Sequence, residues 1–248
     1  MSGHSKWSTI KRKKGVADAK RGAVFTKLAH DITLAAREGG GDPTTNFSLR
    51  LAMDRARAAN MPNANVDRAI KRGTGELAGE ARPEPVSYEA YGPGGVAILV
   101  DCLTDNRNRT VSDVRAAVTK RGGTLAVAGS VAYLFQTKGV IAVPREGVDE
   151  DALMLAAIEA GASEVTPEGD VIEVETDRAA FAKTKEGLEK ADFKVQSAEL
   201  AKVPTNEVPV TEKQTADAIV NLITDLEELD DVVSVSTNAD IEPELVSG

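Results

Sequence analysis

The sequence predicts a multi-domain α+β protein, with an N-terminal three-helix domain and two ferredoxin-like α/β domains, one inserted in the other. Three observations predict this class. Apolar residues near the N-terminus recur with helical spacing. A stretch rich in Gly, Glu and Pro follows at 73–85 and is typical of a linker. Beyond it, strand and helix patterns alternate to the end of the chain.

The N-terminal domain, assigned to residues 1–78, consists of a basic arm and three helices. In the first helix, Phe25, Leu28, Ile32 and Ala35 share one face, and the glycines at 39–41 end the helix. A second helix is expected over about 45–59 and a third around 66–72, closed by Gly73. Three helices with short connections predict a small helical domain.

The inserted domain, assigned to residues 138–206, has the most regular pattern. Residues 139–203 spell β-α-β-β-α-β, the order of a ferredoxin-like fold. The expected elements are strands at 140–143, 164–165, 171–174 and 195–203, and helices at 149–160 and 179–191, with a turn at 137–139.

The segments that flank the insertion repeat the same order. They comprise strand 96–103, helix 110–120 and strand 130–136, then strand 207–210, helix 215–229 and strand 232–236. Joined, they predict a second ferredoxin-like domain split into residues 79–137 and 207–248. One continuous mixed sheet is the alternative.

Charge is distributed unevenly along the chain. The net charge is -9, but residues 1–72 hold 15 basic and 6 acidic residues, a net of +9. The remaining residues hold 15 basic and 33 acidic residues, a net of -18. Such asymmetry indicates one end that binds a polyanion and a body that repels it. The alternative is that charge simply varies between domains.

The basic arm is the first candidate for nucleic-acid binding. Lys and Arg side chains neutralise phosphates and release counterions, which supplies most sequence-independent affinity. Trp7 beside Lys6 is suited to stacking on an unpaired base, or alternatively pins the arm to the helical domain. The lysine run is alternatively a solvated tail. The candidate residues are Lys6, Trp7, Lys11, Arg12, Lys13, Lys14, Lys20, Arg21 and Lys27.

A second candidate is the segment Asp105-Asn106-Arg107-Asn108-Arg109. It lies between a predicted strand and the start of a predicted helix, where backbone amides attract anions. Arg107 and Arg109 could add phosphate contacts. Turn and capping chemistry is the competing explanation, because Asp and Asn are common at such positions.

Enzyme chemistry has little support in the sequence. The glycine-rich turns at 39–41 and 92–95 lack the lysine and hydroxyl of a phosphate-binding loop. His4 and His30 have no partner at metal-ligand spacing, and Cys102 lies in a predicted buried strand. We therefore expect no catalytic residues, no metal, no cofactor, no membrane segment and a cytoplasmic location.

Six motifs together resemble the YebC/PmpR family, which also has a mitochondrial relative that activates translation. They span residues 2–7, 18–22, 39–43, 91–95, 105–109 and 129–135, which include Gly3-His4-Ser5-Lys6-Trp7 and Gly129-Ser130-Val131-Ala132-Tyr133-Leu134-Phe135. The resemblance extends through nearly the whole chain. It implies a helical N-terminal domain, two α/β domains and a cytoplasmic regulator without catalysis.

The resemblance leaves the physiological target open. Members of the family have been described as DNA-binding transcriptional regulators and as ribosome-associated translation factors that relieve stalling. The charge layout favours the ribosomal RNA alternative, and a protein-interaction adaptor is a further alternative. Neither the target sequence nor the oligomeric state follows from the chain.

Overall fold

The computed structural model describes residues 21–77, 79 and 82–246, with no account of the side chains at 21–23, 243 and 246. Within those residues the chain divides into two compact units. One comprises residues 21–132 and 214–235, and the other comprises 133–213 and 236–246. Each unit is considered separately.

The described residues form seven α-helices and ten strands. The helices are α1 Arg21–Gly39, α2 Phe47–Ala58, α3 Asn63–Thr74, α4 Arg107–Lys120, α5 Glu150–Ala160, α6 Phe181–Lys190 and α7 Lys213–Glu227. The strands are β1 Glu84–Tyr91, β2 Ala97–Thr104, β3 Thr124–Leu125, β4 Phe135–Pro144, β5 Ala162–Glu168, β6 Val171–Asp177, β7 Ser197–Pro204, β8 Val208–Val210, β9 Val232–Thr237 and β10 Ala239–Ile241.

The three predicted N-terminal helices are confirmed as α1, α2 and α3. Their apolar faces meet in one core, in which Ile32, Leu49, Ala56 and Val66 are buried. The α1 and α3 backbones approach closely at Gly73, where an added Cβ would lie 2.3 Å from the Thr33 carbonyl oxygen. The Thr33 hydroxyl also donates to the Ala69 carbonyl at 3.1 Å. This crossing requires a residue without a side chain.

The sheet of the first unit has the order β3-β1-β2-β9. Strands β1 and β2 form an antiparallel hairpin that pairs Glu84 with Thr104 and Tyr91 with Ala97. Helices α4 and α7 supply the buried apolar residues Val114 and Ile219, and the sheet supplies buried residues such as Ile98.

Several predicted elements in this region differ from the structure. Strand β1 was not predicted, and the strand expected over Ser130–Gln136 is wrong. A 3₁₀ turn occupies Ala132–Leu134, and β4 begins at Phe135 in the other unit's sheet. The turn expected at 137–139 is also wrong, because those residues continue β4. The predicted strand at 207–210 exists as β8, but it pairs in parallel with β10.

The sheet of the second unit has the order β5-β6-β4-β7, and its three pairings are antiparallel. With α5 after β4 and α6 after β6, this is the β-α-β-β-α-β arrangement that the sequence predicts. The sheet and both helices contribute buried side chains. The strands contribute Ile141 and Ile172, α5 contributes Leu153, and α6 contributes Phe181 and Leu188.

The predicted α+β class is confirmed, with a helical N-terminal region and β-rich parts after it. Of the helices in the described part of the chain, none is long and apolar enough to cross a membrane.

Candidate nucleic-acid interface

Most of the predicted nucleic-acid-binding residues fall outside the described residues. These are Lys6, Trp7, Lys11, Arg12, Lys13, Lys14 and Lys20. Arg21 is the first residue of α1. The arm therefore directly precedes α1 in the chain.

The helical region carries exposed cations that the sequence analysis did not assign to the site. Arg50 and Arg57 lie on α2, and Lys71 lies on α3. The Arg50 guanidinium is 5.2 Å from the centroid of the Phe47 ring, which is a cation–π geometry. Arg57 lies 2.9 Å from Asp54 one turn earlier. Exposed pairs of this kind contribute little to stability, so Arg57 can exchange its partner at small cost.

Lys27, which was predicted to contact phosphate, has protein partners instead. Its ammonium group donates to the carbonyl oxygens of Leu229 and Val232, which flank the α7–β9 turn. A cation at the end of a helix satisfies carbonyls that have no partner within the helix. In the structure Lys27 fastens α1 to that turn.

The Asp105–Arg109 segment forms the start of α4, and its side chains contact other parts of the same unit. Asn106 is the N-cap and accepts from the Arg109 amide at 3.1 Å, so the helix begins at Arg107 rather than near Thr110. The Arg107 guanidinium donates to Glu84 at 2.8 Å, and that of Arg109 donates to Asp231 at 2.8 and 2.9 Å.

Asp231 is the centre of this polar cluster. The Thr110 hydroxyl donates to its carboxylate at 2.7 Å, beside the Arg109 guanidinium. Partial burial raises the pKa of Asp231, but the donors Arg109 and Thr110 outweigh it and hold that pKa below its usual value. Arg72 of α3 reaches Asp105 at 3.6 Å. The cluster joins helices α3 and α4 to the α7–β9 turn.

A cleft of about 470 Å³ opens beside this cluster. It is lined by Arg109, Thr110, Asp113, Glu228, Leu229, Asp230 and Asp231. Four carboxylates face one guanidinium there, so the cleft repels phosphate. This geometry favours the capping explanation of the Asp105–Arg109 motif over phosphate binding.

The Gly129–Phe135 motif begins with a loop that binds a buried carboxylate. Glu89 of β1 is only 7% exposed, and its oxygens accept from the amides of Gly129, Val131 and Ala132 at 2.6, 2.5 and 2.9 Å. Burial raises the pKa of Glu89, but the amide donors, of which Val131 is the strongest, outweigh it and leave that pKa below its usual value.

Two residues considered for chemistry occupy protected positions. Cys102 is buried in β2, and burial raises the pKa of its thiol to about 12, so it is an unreactive core residue. His30 of α1 is half-buried. Burial first, then Lys27 and Arg72, lowers its pKa. In the described part of the chain, no three His, Cys, Asp or Glu side chains cluster as metal ligands.

The fold and site define a basic helical module followed in the chain by α/β units rich in acidic residues. The chain belongs to the TACO1/YebC family. Residues 5–76 match the family description "TACO1/YebC protein N-terminal domain", and residues 83–239 match "TACO1/YebC second and third domain". The resemblance that the motifs carry is confirmed.

Relatives match over nearly the full length. A protein of Rubrobacter xylanophilus is 53% identical over 247 residues, covering 100% of this chain and 98% of that protein. One from Geobacter sulfurreducens is 52% identical over 98% of both chains. Both are named probable transcriptional regulatory proteins. The crystal structure of a conserved hypothetical protein from Aquifex aeolicus has a TM-score of 0.82 at 45% identity, over 91% of this chain and 92% of that one.

Proposed function

We propose that this chain is a non-catalytic regulator of gene expression that binds nucleic acid through its N-terminal module, defined as residues 1–77. The observation that carries the proposal is the segregation of charge, +9 over residues 1–72 against -18 over the rest. A polyanion is attracted to the first part and repelled by the second. The names of the relatives support a regulatory role.

Two groups of residues make up the proposed interface. The arm offers Lys6, Lys11–Lys14, Lys20 and Arg21 to phosphates, with Trp7 stacking on a base. The helical region adds the exposed cations Arg50, Arg57 and Lys71. Lys27 and Arg109 are left out, because phosphate would have to displace two backbone carbonyls from Lys27 and the partly buried Asp231 from Arg109. Arg107 has an exposed pair like that of Arg57, but it lies outside the N-terminal module.

The target is DNA if the names of the relatives apply to this chain. Structured RNA is the second candidate, and the charge layout favours it. A protein that lies along a duplex brings its acidic α/β units near phosphates, within the screening length of about 8 Å at physiological salt. An arm that enters a crevice of folded RNA, such as ribosomal RNA, keeps those units at a distance.

Substitution of the exposed cations tests the interface. The triple variant Arg50→Ala, Arg57→Ala, Lys71→Ala should weaken binding to a duplex or to ribosomal RNA. The slope of log affinity against log salt should fall by roughly one for each phosphate that the variant no longer neutralises. Changing Lys11, Arg12, Lys13 and Lys14 to Ala should have a similar effect. Fluorescence anisotropy over a salt series measures both.

The matched control removes three exposed cations elsewhere, namely Arg115, Lys183 and Lys194. It should leave the affinity and the salt slope unchanged or raise the affinity slightly. Equal weakening by the two triple variants would reject the module as the interface. Binding with no salt dependence in the wild-type chain would instead favour a protein-interaction adaptor.

A second measurement separates DNA from RNA. Affinities for a promoter duplex, a scrambled duplex and intact ribosomes are compared at one physiological salt concentration. Promoter binding roughly a thousandfold tighter than scrambled binding, the lower end for specific DNA readers, without ribosome association, supports DNA. Weak, sequence-independent duplex binding with firm ribosome association supports RNA.

A further inference from the structure

The outward face of helix α5, in the second unit, is apolar. Met154, Leu155 and Ile158 are 41%, 61% and 58% exposed, whereas Leu153 and Ala157 on the opposite side are fully buried. Ile158 is four residues after Met154 and three after Leu155, so both side chains neighbour it on the helix surface, within little more than one turn. A cluster of large apolar side chains on a helix surface marks an interaction site more often than isolated exposed residues do.

The face is held rigidly before any partner arrives. Asp149 caps the helix by accepting from the Ala152 amide at 3.1 Å, and Gly161 ends it in the left-handed conformation with φ of 113°. Helices α5 and α6 pack so closely that a Cβ added to Gly187 would lie 2.7 Å from the Ala160 Cβ. A preformed face loses little conformational entropy on binding.

Charge around the face selects the kind of partner. Exposed Asp151 and Glu159 border the three apolar side chains, and the α5 sequence contains no Lys or Arg. Residues 138–206 as a whole hold 8 basic and 15 acidic residues, a net of -7. Nucleic acid and anionic membranes are therefore repelled. Pairing of two copies through α5 would bring like carboxylates together.

We propose that the outward face of α5 docks an amphipathic helix of a basic protein, with its apolar stripe on Met154, Leu155 and Ile158. Lysine or arginine residues beside that stripe contact Asp151 and Glu159. This is the helix-on-helix mode of recognition, in which apolar anchors supply affinity and flanking charges supply orientation. The α5 face belongs to the second unit and would add a protein partner to the nucleic-acid binding proposed for the N-terminal module.

The test uses the full-length chain and two labelled helical peptides. Both peptides are about 18 residues long, enough to form a helix, and carry the same leucine stripe. One bears lysines on its polar face and the other bears glutamates. Fluorescence anisotropy at physiological salt should show binding of the lysine peptide at least tenfold tighter than that of the glutamate peptide.

Single substitutions locate the binding face. Ile158→Ser and Leu155→Ser should each weaken lysine-peptide binding at least about tenfold, the loss expected of a central anchor. Val127→Ser is the matched control, since Val127 is 79% exposed and lies in the other unit. It should change nothing. Circular dichroism melts check that the variants are folded, as expected for exposed positions.

Removing the charges of Asp151 and Glu159 tests whether these two carboxylates select a basic partner. Asp151→Asn with Glu159→Gln should reduce the preference for lysine over glutamate, while nucleic-acid binding by the Ile158→Ser variant should match that of the wild type. Equal binding of both peptides, or equal binding by the Ile158→Ser and Val127→Ser variants, overturns the proposal. So does self-association in analytical ultracentrifugation that Ile158→Ser abolishes, because the occupant is then a second copy.

Discussion

Glu89 is a carboxylate that the protein uses as an internal anion. It lies within a strand, but its oxygens bind three amides of the loop that follows β3, between 2.5 and 2.9 Å away. Unpaired amides in such a loop would be costly to bury. The carboxylate satisfies them and fixes the path by which the chain leaves the first sheet. Glu89 therefore fixes the conformation of this loop, which Gly129 alone would not fix.

Glu89→Gln should loosen this loop by about 2–3 kcal/mol, since hydrogen bonds to a charged group are replaced and one amide faces the NH₂ of glutamine. The wild-type pKa is lowered on folding, so the stabilisation is present above the unfolded pKa near ~4.3 and is lost as pH falls through the folded pKa. Hydrogen exchange of residues 126–132 should quicken in the variant at neutral pH, and the difference should shrink toward acid.

Glu84→Gln is the control for that experiment. Glu84 is on the same strand but is exposed and pairs with Arg107, so the substitution should hardly affect exchange in the loop. Equal protection of the loop in the Glu89→Gln variant and in the wild type at neutral pH would show that the amides do not depend on the carboxylate.

At the scale of elements, the crossing of α1 and α3 depends on one glycine. A Cβ at position 73 would lie 2.3 Å from the Thr33 carbonyl oxygen and 2.9 Å from the Ala36 Cβ. Both neighbours belong to α1 and cannot rotate away. The two helices must then separate, and the core around Ile32 and Val66 must separate with them.

Gly73→Ala should destabilise the helical region by about 2 kcal/mol or more, the cost of overpacking a tight contact. That destabilisation exceeds the gain of about 1 kcal/mol that alanine brings to an ordinary helix interior. Thermal unfolding followed by calorimetry measures it, with Asn65→Ala on the exposed side of α3 as control. An increase in stability for Gly73→Ala would mean that the crossing is looser than the structure indicates.

The elements that the sequence predicts well are those whose signals are local. Helices α1 and α5 end at glycines and repeat apolar residues at helical spacing, so the sequence predicts the end of α1 and both ends of α5 closely. Strand β1 was missed although Val86, Tyr88 and Ala90 alternate with polar residues at the period of a strand. The role of Glu89 was not predictable, because a buried carboxylate is indistinguishable from an exposed one in sequence. The pairing of β4 escapes prediction because strand propensity does not identify the partner strand.

The site was less predictable than the fold, since its contacts join distant parts of the chain. The Arg109 guanidinium donates to the Asp231 carboxylate, 122 residues away in the chain. The Lys27 ammonium donates to the Val232 carbonyl, 205 residues away. No spacing rule connects such pairs. Charge counting identified the basic N-terminal part, but it cannot tell a guanidinium in an exposed pair, such as Arg57 with Asp54, from one held by a partly buried carboxylate, such as Arg109 with Asp231.

At the scale of the whole molecule, the second unit's four-stranded sheet comes from one continuous stretch of chain whose two ends lie together. The Thr205 amide donates to the Leu134 carbonyl at 2.7 Å, on either side of a segment that contains β4 to β7. Replacing residues 135–204 by a short Gly-Ser linker should therefore leave the first unit folded. The excised segment, which contains its complete four-stranded sheet and both helices, should fold alone.

Circular dichroism and calorimetry on the two products check this prediction. The control deletes the same number of residues at 120–189, which removes parts of both sheets and should give an unfolded chain. If both products of the 135–204 excision are unfolded, the insertion depends on the surrounding unit, and one continuous sheet becomes the better description.

The long-range contacts of the α7–β9 turn impose an order on folding during synthesis. The last strand of the inserted sheet ends at Pro204, whereas β9, which borders β2, begins at Val232, 28 residues later. A growing chain can thus complete the inserted sheet while β2 still has an unpaired edge and Lys27 and Arg109 still lack their partners at 229–232. Because domains generally fold as units as they emerge, the inserted sheet can mature before the N-terminal helical region gains its contacts with the α7–β9 turn.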